Sequence, residues 1–161
     1  MDVQPQRTPE LTRLAELIAS SEVAMLTTET EGRLHSRPLR TLQMDAEGAL
    51  WFITSISSEK IAELDEHRRA CLSYARPARE SYVSVSGVTQ VLRDIRKARE
   101  LWATSLVQWL EDGVEDPELV LLKVTVERAE YWDADRGQFL PLLGASSAEN
   151  QKITIPPTTK P

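Results

Sequence analysis

Six stretches of this chain carry the residue types of β-strands, and few of the gaps between them can hold a helix. Val23 to Thr28, Leu34 to Met44, Ala49 to Thr54, Ala70 to Ala75, Tyr82 to Leu92 and Leu119 to Trp132 are rich in β-branched and aromatic residues. Helices fit near Glu59 to Glu66 and Asp94 to Leu110. Another precedes the strands, where Thr8-Pro9 puts proline at the first helical position ahead of an apolar stripe of Leu11, Leu14, Ala15, Leu17 and Ile18. A run of hairpins with inserted helices, without strict β-α alternation, predicts a mainly β chain of the α+β class. An antiparallel barrel fits it better than a doubly wound sheet. Gly87 interrupts the Val83, Val85 alternation and so marks a bulge or a close approach of two backbones.

The chain has 161 residues, 41% hydrophobic and 27% charged, which suits one globular domain with a real core. Nineteen basic residues against twenty-five acidic ones leave a net charge of -6 and argue against nucleic acid as a partner. The local cluster Arg93, Arg96, Lys97 and Arg99, with Glu100 four residues after Arg96, reads as a solvated helix face. The first ten residues are polar and unlike an export signal, and no apolar run is long enough to span a membrane, so a cytoplasmic location is expected. The single Cys71 fits a buried structural thiol in a reducing compartment. His35 and His67 lack ligand spacing, and the acidic loop from Glu111 to Asp116 lacks the alternating oxygens of a calcium loop, so no metal site is expected. From Gly144 onward the sequence is polar and ends rich in proline. The expected organisation is one domain over 1–143, followed by a tail over 144–161 that is mobile or lies as an arm on a partner subunit.

The stretch from Ser36 to Lys60 has the strongest chemical content. Leu34 to Met44 and Ala49 to Thr54, joined by the turn residues Asp45-Ala-Glu-Gly48, read as a hairpin. Ser55 to Ser58 is small and polar, and Ser57 or Ser58 is placed to cap a helix starting near Glu59. Unpaired amides and the positive end of a helix dipole favour an anion there. Thr54, Ser58 and Lys60 add side-chain donors, and Arg37 on the neighbouring strand closes the other side. The same residues equally suit a solvated helix start, so spacing alone leaves both readings open.

A set of segments resolves the choice by resemblance. Met25-Leu-Thr-Thr28, His35-Ser-Arg-Pro38, Leu50-Trp-Phe52 with Thr54, Ser58 and Lys60, Tyr82-Val-Ser-Val-Ser-Gly87, Leu101-Trp102, Asp116-Pro117 and Ala129-Glu-Tyr-Trp-Asp133 follow in order from Met25 to Asp133. In this pattern the chain resembles the pyridoxamine 5'-phosphate oxidase-like, FMN-binding split-barrel flavoproteins, and is most similar to their bacterial general stress protein 26 group. The resemblance implies an antiparallel split barrel with flanking helices. It also implies a homodimer that holds FMN, or alternatively FAD, at the subunit interface.

Carried over residue by residue, the resemblance puts Arg37, Thr54, Ser58 and Lys60 on the flavin phosphate. It sets Pro38, Leu39, Arg40, Thr41 and Leu42 under the ring edge, with Ile53 beside them, and brings Tyr82 and Trp102 or Trp109 to the cofactor. For the two aromatics, core packing is an equal alternative. Trp51, Tyr131 and Trp132 are expected in the core or the dimer interface. Glu59 departs from the oxidase, which has a basic residue there, so affinity is expected to rest on Lys60 and Arg37. The oxidase grips its substrate's phosphate with a C-terminal arginine and histidine. Residues 137–161 have neither, so vitamin B6 oxidation is disfavoured. No catalytic acid or base is evident. Three functions remain: a flavin-dependent oxidoreductase of an unknown small molecule, a non-catalytic dimer that sequesters or senses flavin, and a deazaflavin-dependent reductase. The lack of a histidine-rich segment argues against haem.

Overall fold

The computed structural model describes residues 1–21, 23–58, 61, 68–104 and 113–144. Among them the chain forms a mainly antiparallel sheet with two α-helices. The strands are β1 (Asp2–Val3), β2 (Val23–Thr30), β3 (Arg33–Arg40), β4 (Gln43–Met44), β5 (Leu50–Ser55), β6 (Arg69–Arg76), β7 (Ser81–Leu92), β8 (Leu119–Asp133) and β9 (Gln138–Leu143). The helices are α1 (Pro9–Ile18) and α2 (Ile95–Thr104). The strand order is β1-β4-β5-β8-β7-β6-β2-β3, and β9 pairs with β8.

Helix α1 forms as its sequence dictates. The Thr8 hydroxyl accepts the Leu11 amide at 3.3 Å, Pro9 opens the first turn, and Leu14, Ala15 and Ile18 are buried. They join Leu26, Phe52, Leu72, Val85 and Leu122 in the main core, on what we call the inner face of the sheet. A second apolar cluster, with Leu42, Trp51, Ile53, Ala98, Leu101 and Leu121, fills the space under α2. Strand β5 is therefore covered on both faces, which explains why its sequence is an apolar run without alternation. Its opening turn is fixed by the Asp45 carboxylate. Oδ1 accepts the Ala49 amide at 2.8 Å, and Oδ2 accepts the Trp51 indole N–H at 2.8 Å. The Lys97 and Lys123 ammonium groups lie 5.0 and 5.2 Å from the Trp51 ring centre.

The long strand β8 is where the sheet divides. Strand β7 runs along one side of it, while the other side pairs first with β5, over Leu119 to Val124, and then with β9, over Ala129 to Asp133. Between the two halves Ser86 pairs with Arg128 but Gly87 with Val126, so Glu127 is an extra residue in a bulge. The bulge reverses the facing of β8. Leu122 and Val124 point into the main core before it, and Ala129 does so after it. Gly87 and Gly144 permit this geometry. A Cβ on Gly87 would stand 2.1 Å from the Thr125 carbonyl oxygen, and one on Gly144 would stand 2.0 Å from that of Glu127. The expected bulge or close approach at Gly87 is thus both.

The expected hairpin is much shorter than its sequence pattern. Leu34 to Met44 is two strands: β3 pairs with β2 along its whole length, and only Gln43 and Met44 pair with β5. The break falls where Thr41 bonds the buried Tyr74 hydroxyl at 2.8 Å and Leu42 turns into the second cluster, so the chain changes sheet partner there. Strand β9 was not legible because Pro141 interrupts its pattern. Both Pro38 and Pro141 lie in strands with a single long partner, where a missing N–H is tolerated. Of the two expected inner helices, the first lies outside the described residues except for Ile61, which is helical. The second is α2, with 105–112 outside them.

Gly87→Ala is expected to lower stability by about 3 kcal/mol, because backbone must move to admit the methyl. Gly32→Ala, at φ +74° but with nothing within 4 Å of the added carbon, should cost only about 1 kcal/mol. Urea unfolding of the two variants beside the parent checks the contrast, and equal losses would mean the bulge relaxes freely.

Candidate functional site

Strand alternation divides the residues expected around a ligand into two groups. Arg37 and Leu39 share the inner face of β3 and are half-buried, whereas Pro38 and Arg40 lie on the outer face and are exposed. Arg37 donates from Nη1 to the Thr28 hydroxyl at 3.1 Å, and Thr28 is itself buried. Leu39 packs on the main core. The Thr41 hydroxyl is taken by Tyr74, whose phenol is pushed well above its ordinary value by burial. Leu42 donates its amide to the Trp51 carbonyl at 2.9 Å, and Pro38 has no amide hydrogen. Of the backbone donors expected over Pro38 to Leu42, these two positions offer none.

At the end of β5, Ile53 packs under α2 and Thr54 is buried. Ser55 to Ser58 then fold into a compact turn. Ser58 donates its amide at 3.2 Å and its hydroxyl at 2.8 Å to the Ser55 carbonyl. The Ser58 carbonyl accepts the Ile61 amide at 2.9 Å, which is how a residue at a helix start behaves. Lys60 lies outside the described residues. Because β4 is antiparallel to β5, the chain before β4 and the chain after β5 leave this pair toward the same end. The chain thus brings the Arg37 strand and the serine turn to one end of that pair.

A participant invisible to sequence spacing is Glu118. Its Oε2 accepts the Ser55 hydroxyl at 2.9 Å, and the Ser55 and Ser57 hydroxyl oxygens are 2.8 Å apart. Hydrogen bonding from Ser57 first, then from Ser55, and the nearby charge of Arg93 hold the Glu118 carboxyl below the usual carboxylate range. Glu118 is 63 positions from Ser55, and only the pairing of Leu119 with Ser55 brings it there. An anion at the serine turn must therefore share these hydroxyls with a carboxylate. The Arg37 guanidinium has the chemistry to take a phosphate, whereas the Ser58 amide and hydroxyl are both given to the Ser55 carbonyl and would have to turn from it.

The two aromatics expected at the cofactor separate. Tyr82 is on the outer face, where Ser73, Ala75, Ser84, Trp132 and Phe139 join it around an open cleft of about 420 Å³. Trp132 and Phe139 meet edge to face with centres 5.4 Å apart. Within one chain Tyr82 and Arg37 point to opposite faces of the sheet. Trp102 is half-buried against the second cluster, beside Gly113. Trp51 is in the second cluster and Tyr131 packs on the main core, while Trp109 lies outside the described residues. Among the described residues no three His, Cys, Asp or Glu side chains gather as a metal site would require, and no helix is long and apolar enough to cross a membrane.

The family model described as pyridoxamine 5'-phosphate oxidase like matches residues 9–154. The chain belongs to the pyridoxamine 5'-phosphate oxidase-like family. No curated protein matches it. Among solved structures it is similar to a general stress FMN/FAD binding protein from Xanthomonas citri, at 26% identity and a TM-score of 0.67, over 92% of this chain and 99% of that one. A protein related to general stress protein 26, from Clostridium acetobutylicum, aligns at 22% identity and a TM-score of 0.71, over 83% of this chain and 95% of the other. A haem-binding protein from Mycobacterium smegmatis shares the fold at 19% identity and a TM-score of 0.66, over 86% of this chain and 59% of its own. The oxidase-like family therefore includes this chain over nearly its whole length, and its segments from Met25 to Asp133 lie inside the matched region.

Ser57→Ala should raise the Glu118 carboxyl pKa toward its ordinary value. Because the folded-state value is depressed, the stabilisation from this group is present above the unfolded value and is lost as pH falls through the folded one. Carboxyl NMR titration of parent and variant reads this directly, and an unmoved Glu118 would show that the serine does not hold it.

Proposed function

We propose that this chain is a flavin-binding protein of the general stress type, a cytoplasmic homodimer that acts as an oxidoreductase on a small molecule. In this reading the sheet closes as a split barrel, and the flavin phosphate is held by Arg37, Ser58 and Lys60. The observation that carries it is Arg37, a half-buried guanidinium on the inner face of β3, in the segment that enters the β4–β5 pair from the same end at which the serine turn leaves it. A charge kept partly out of water suits a multiply charged oxygen ligand. The similarity to the Xanthomonas citri FMN/FAD binding protein supports flavin as the group that brings such a phosphate.

The outer face supports the dimer. Pro38, Met25, Ser73, Ser84 and Glu130 form one row across five strands through successive pairings. Val23, Met25, Tyr82 and Phe139 on or beside that face are 36–45% exposed. A second copy laid against it would bury this apolar surface by a self-complementary contact. Tyr82 and Arg40 of one subunit would then approach a cofactor held at the edge of the other. A bound flavin supplies electron and hydride transfer through its ring. The protein's residues bind the phosphate, orient the ring and exclude water, so no acid or base is required. A haem in place of flavin needs an axial ligand, and His35 is the one histidine among the described residues, exposed near the β2–β3 turn.

The test is flavin retention by purified protein. Parent protein incubated with FMN or FAD and freed of excess ligand should keep about one flavin per subunit. Lys60→Ala combined with Arg37→Ala should weaken binding at least a hundredfold while the dimer persists in sedimentation, since two charge-assisted contacts each contribute about 1.5–3 kcal/mol. If the double variant retained flavin as tightly as the parent, the phosphate site would be elsewhere. Sustained turnover with a reductant separates the oxidoreductase from a dimer that only sequesters or senses flavin, and retention of a deazaflavin alone would favour that cofactor.

A further inference from the structure

The cleft of about 420 Å³ on the outer face is built by strand register. Val83 pairs with Tyr131 and Trp132 with Phe139, which puts Tyr82, Trp132 and Phe139 in one row across β7, β8 and β9. Ala75 ends that row on β6, opposite Tyr82, and the next row holds the cross-strand pair Ser73 and Ser84. Three large rings beside three small side chains leave a slot with aromatic walls and a low floor.

None of the residues lining the slot carries a charge. Glu130, opposite Ser84, is ion-paired with Arg128 at 2.8 Å, so the row beside the rings presents no net charge either. The hydroxyls of Ser73 and Tyr82 make no hydrogen bond among the described residues, and each can donate or accept. A charged ligand would lose hydration in the slot and gain no partner ion there. A flat, uncharged ring system stacks on the walls and meets only neutral hydroxyls. The volume lies in the range of small-molecule sites, about 300–1,000 Å³.

We propose that this slot is the substrate site and that the substrate is an uncharged, planar aromatic molecule of one or two rings. The inference rests on the oxidoreductase reading above, in which the slot of one subunit approaches the cofactor held by the other. A substrate that carries a phosphate is refused, because the slot has no cation to receive it.

The probes are naphthalene-2-carboxamide and naphthalene-2-carboxylate, which match in shape and differ in charge. Equilibrium dialysis against the full chain, with and without FMN, measures both. Parent protein should bind the amide at least about tenfold more tightly than the carboxylate in either state. Phe139→Ala, at an exposed position of the wall, should weaken the amide about fivefold. Ser73→Glu, which sets a carboxylate in the floor, should weaken it about tenfold or more, with the circular dichroism of both variants matching the parent. Equal or absent binding of the two probes, or an amide affinity that survives both substitutions, overturns the slot as the substrate site and leaves the flavin reading intact. Loss of amide binding on loading with FMN also overturns it, because the flavin ring would then occupy the slot. A parent that retains no FMN yet discriminates between the probes overturns the flavin reading and supports the ligand class assigned to the slot.

Discussion

The bulge at Glu127 is the constraint on which the arrangement depends. One strand, β8, has to pair with β5 under α2 and then with β9, and its facing has to reverse between the two. A single extra residue does both, at the cost of backbone so close that only glycine fits at 87 and 144. Over Leu119 to Leu122 both faces of β8 are covered, one by the main core and one by the cluster under α2. Beyond the bulge Arg128, Glu130 and Trp132 come to the outer face, where they are half-buried.

The same division organises the candidate site. Strand β5 lies in the doubly covered half, so its end delivers the serine turn from a rigid base. Glu118 reaches that turn because β8 begins next to it. Its carboxylate orders the hydroxyls of Ser55 and Ser57, and sets a local negative charge that the proposed phosphate would have to overcome with cations from elsewhere in the chain. Arg37, held by Thr28, is one such cation in the proposed site.

Much of this was legible in the sequence, and for identifiable reasons. Strands β2, β5, β6, β7 and β8 carry enough β-branched and aromatic residues for local propensity and tertiary packing to agree. The Thr8 cap and the stripe of α1 behaved as their spacing predicts. Membership of the oxidase-like family was carried by ordered segments, none decisive alone. What local pattern could not give was the change of partner at Thr41 and Leu42, because continuous strand character says nothing of which neighbour a strand bonds. Nor could it give the role of Glu118, which exists only through pairing across the sheet, or strand β9, whose Pro141 is acceptable only at an edge. Tyr82 shows a further limit: a motif places a residue in sequence, but alternation decides which side of the sheet it serves.

That alternation in β3 has a consequence for how such a protein diversifies. Arg37 and Leu39 face inward while Pro38 and Arg40 face outward, so adjacent codons answer to different selective pressures. Exchanges at the outward positions can therefore alter the outer face without disturbing the inner guanidinium, and exchanges at the inward positions can do the reverse.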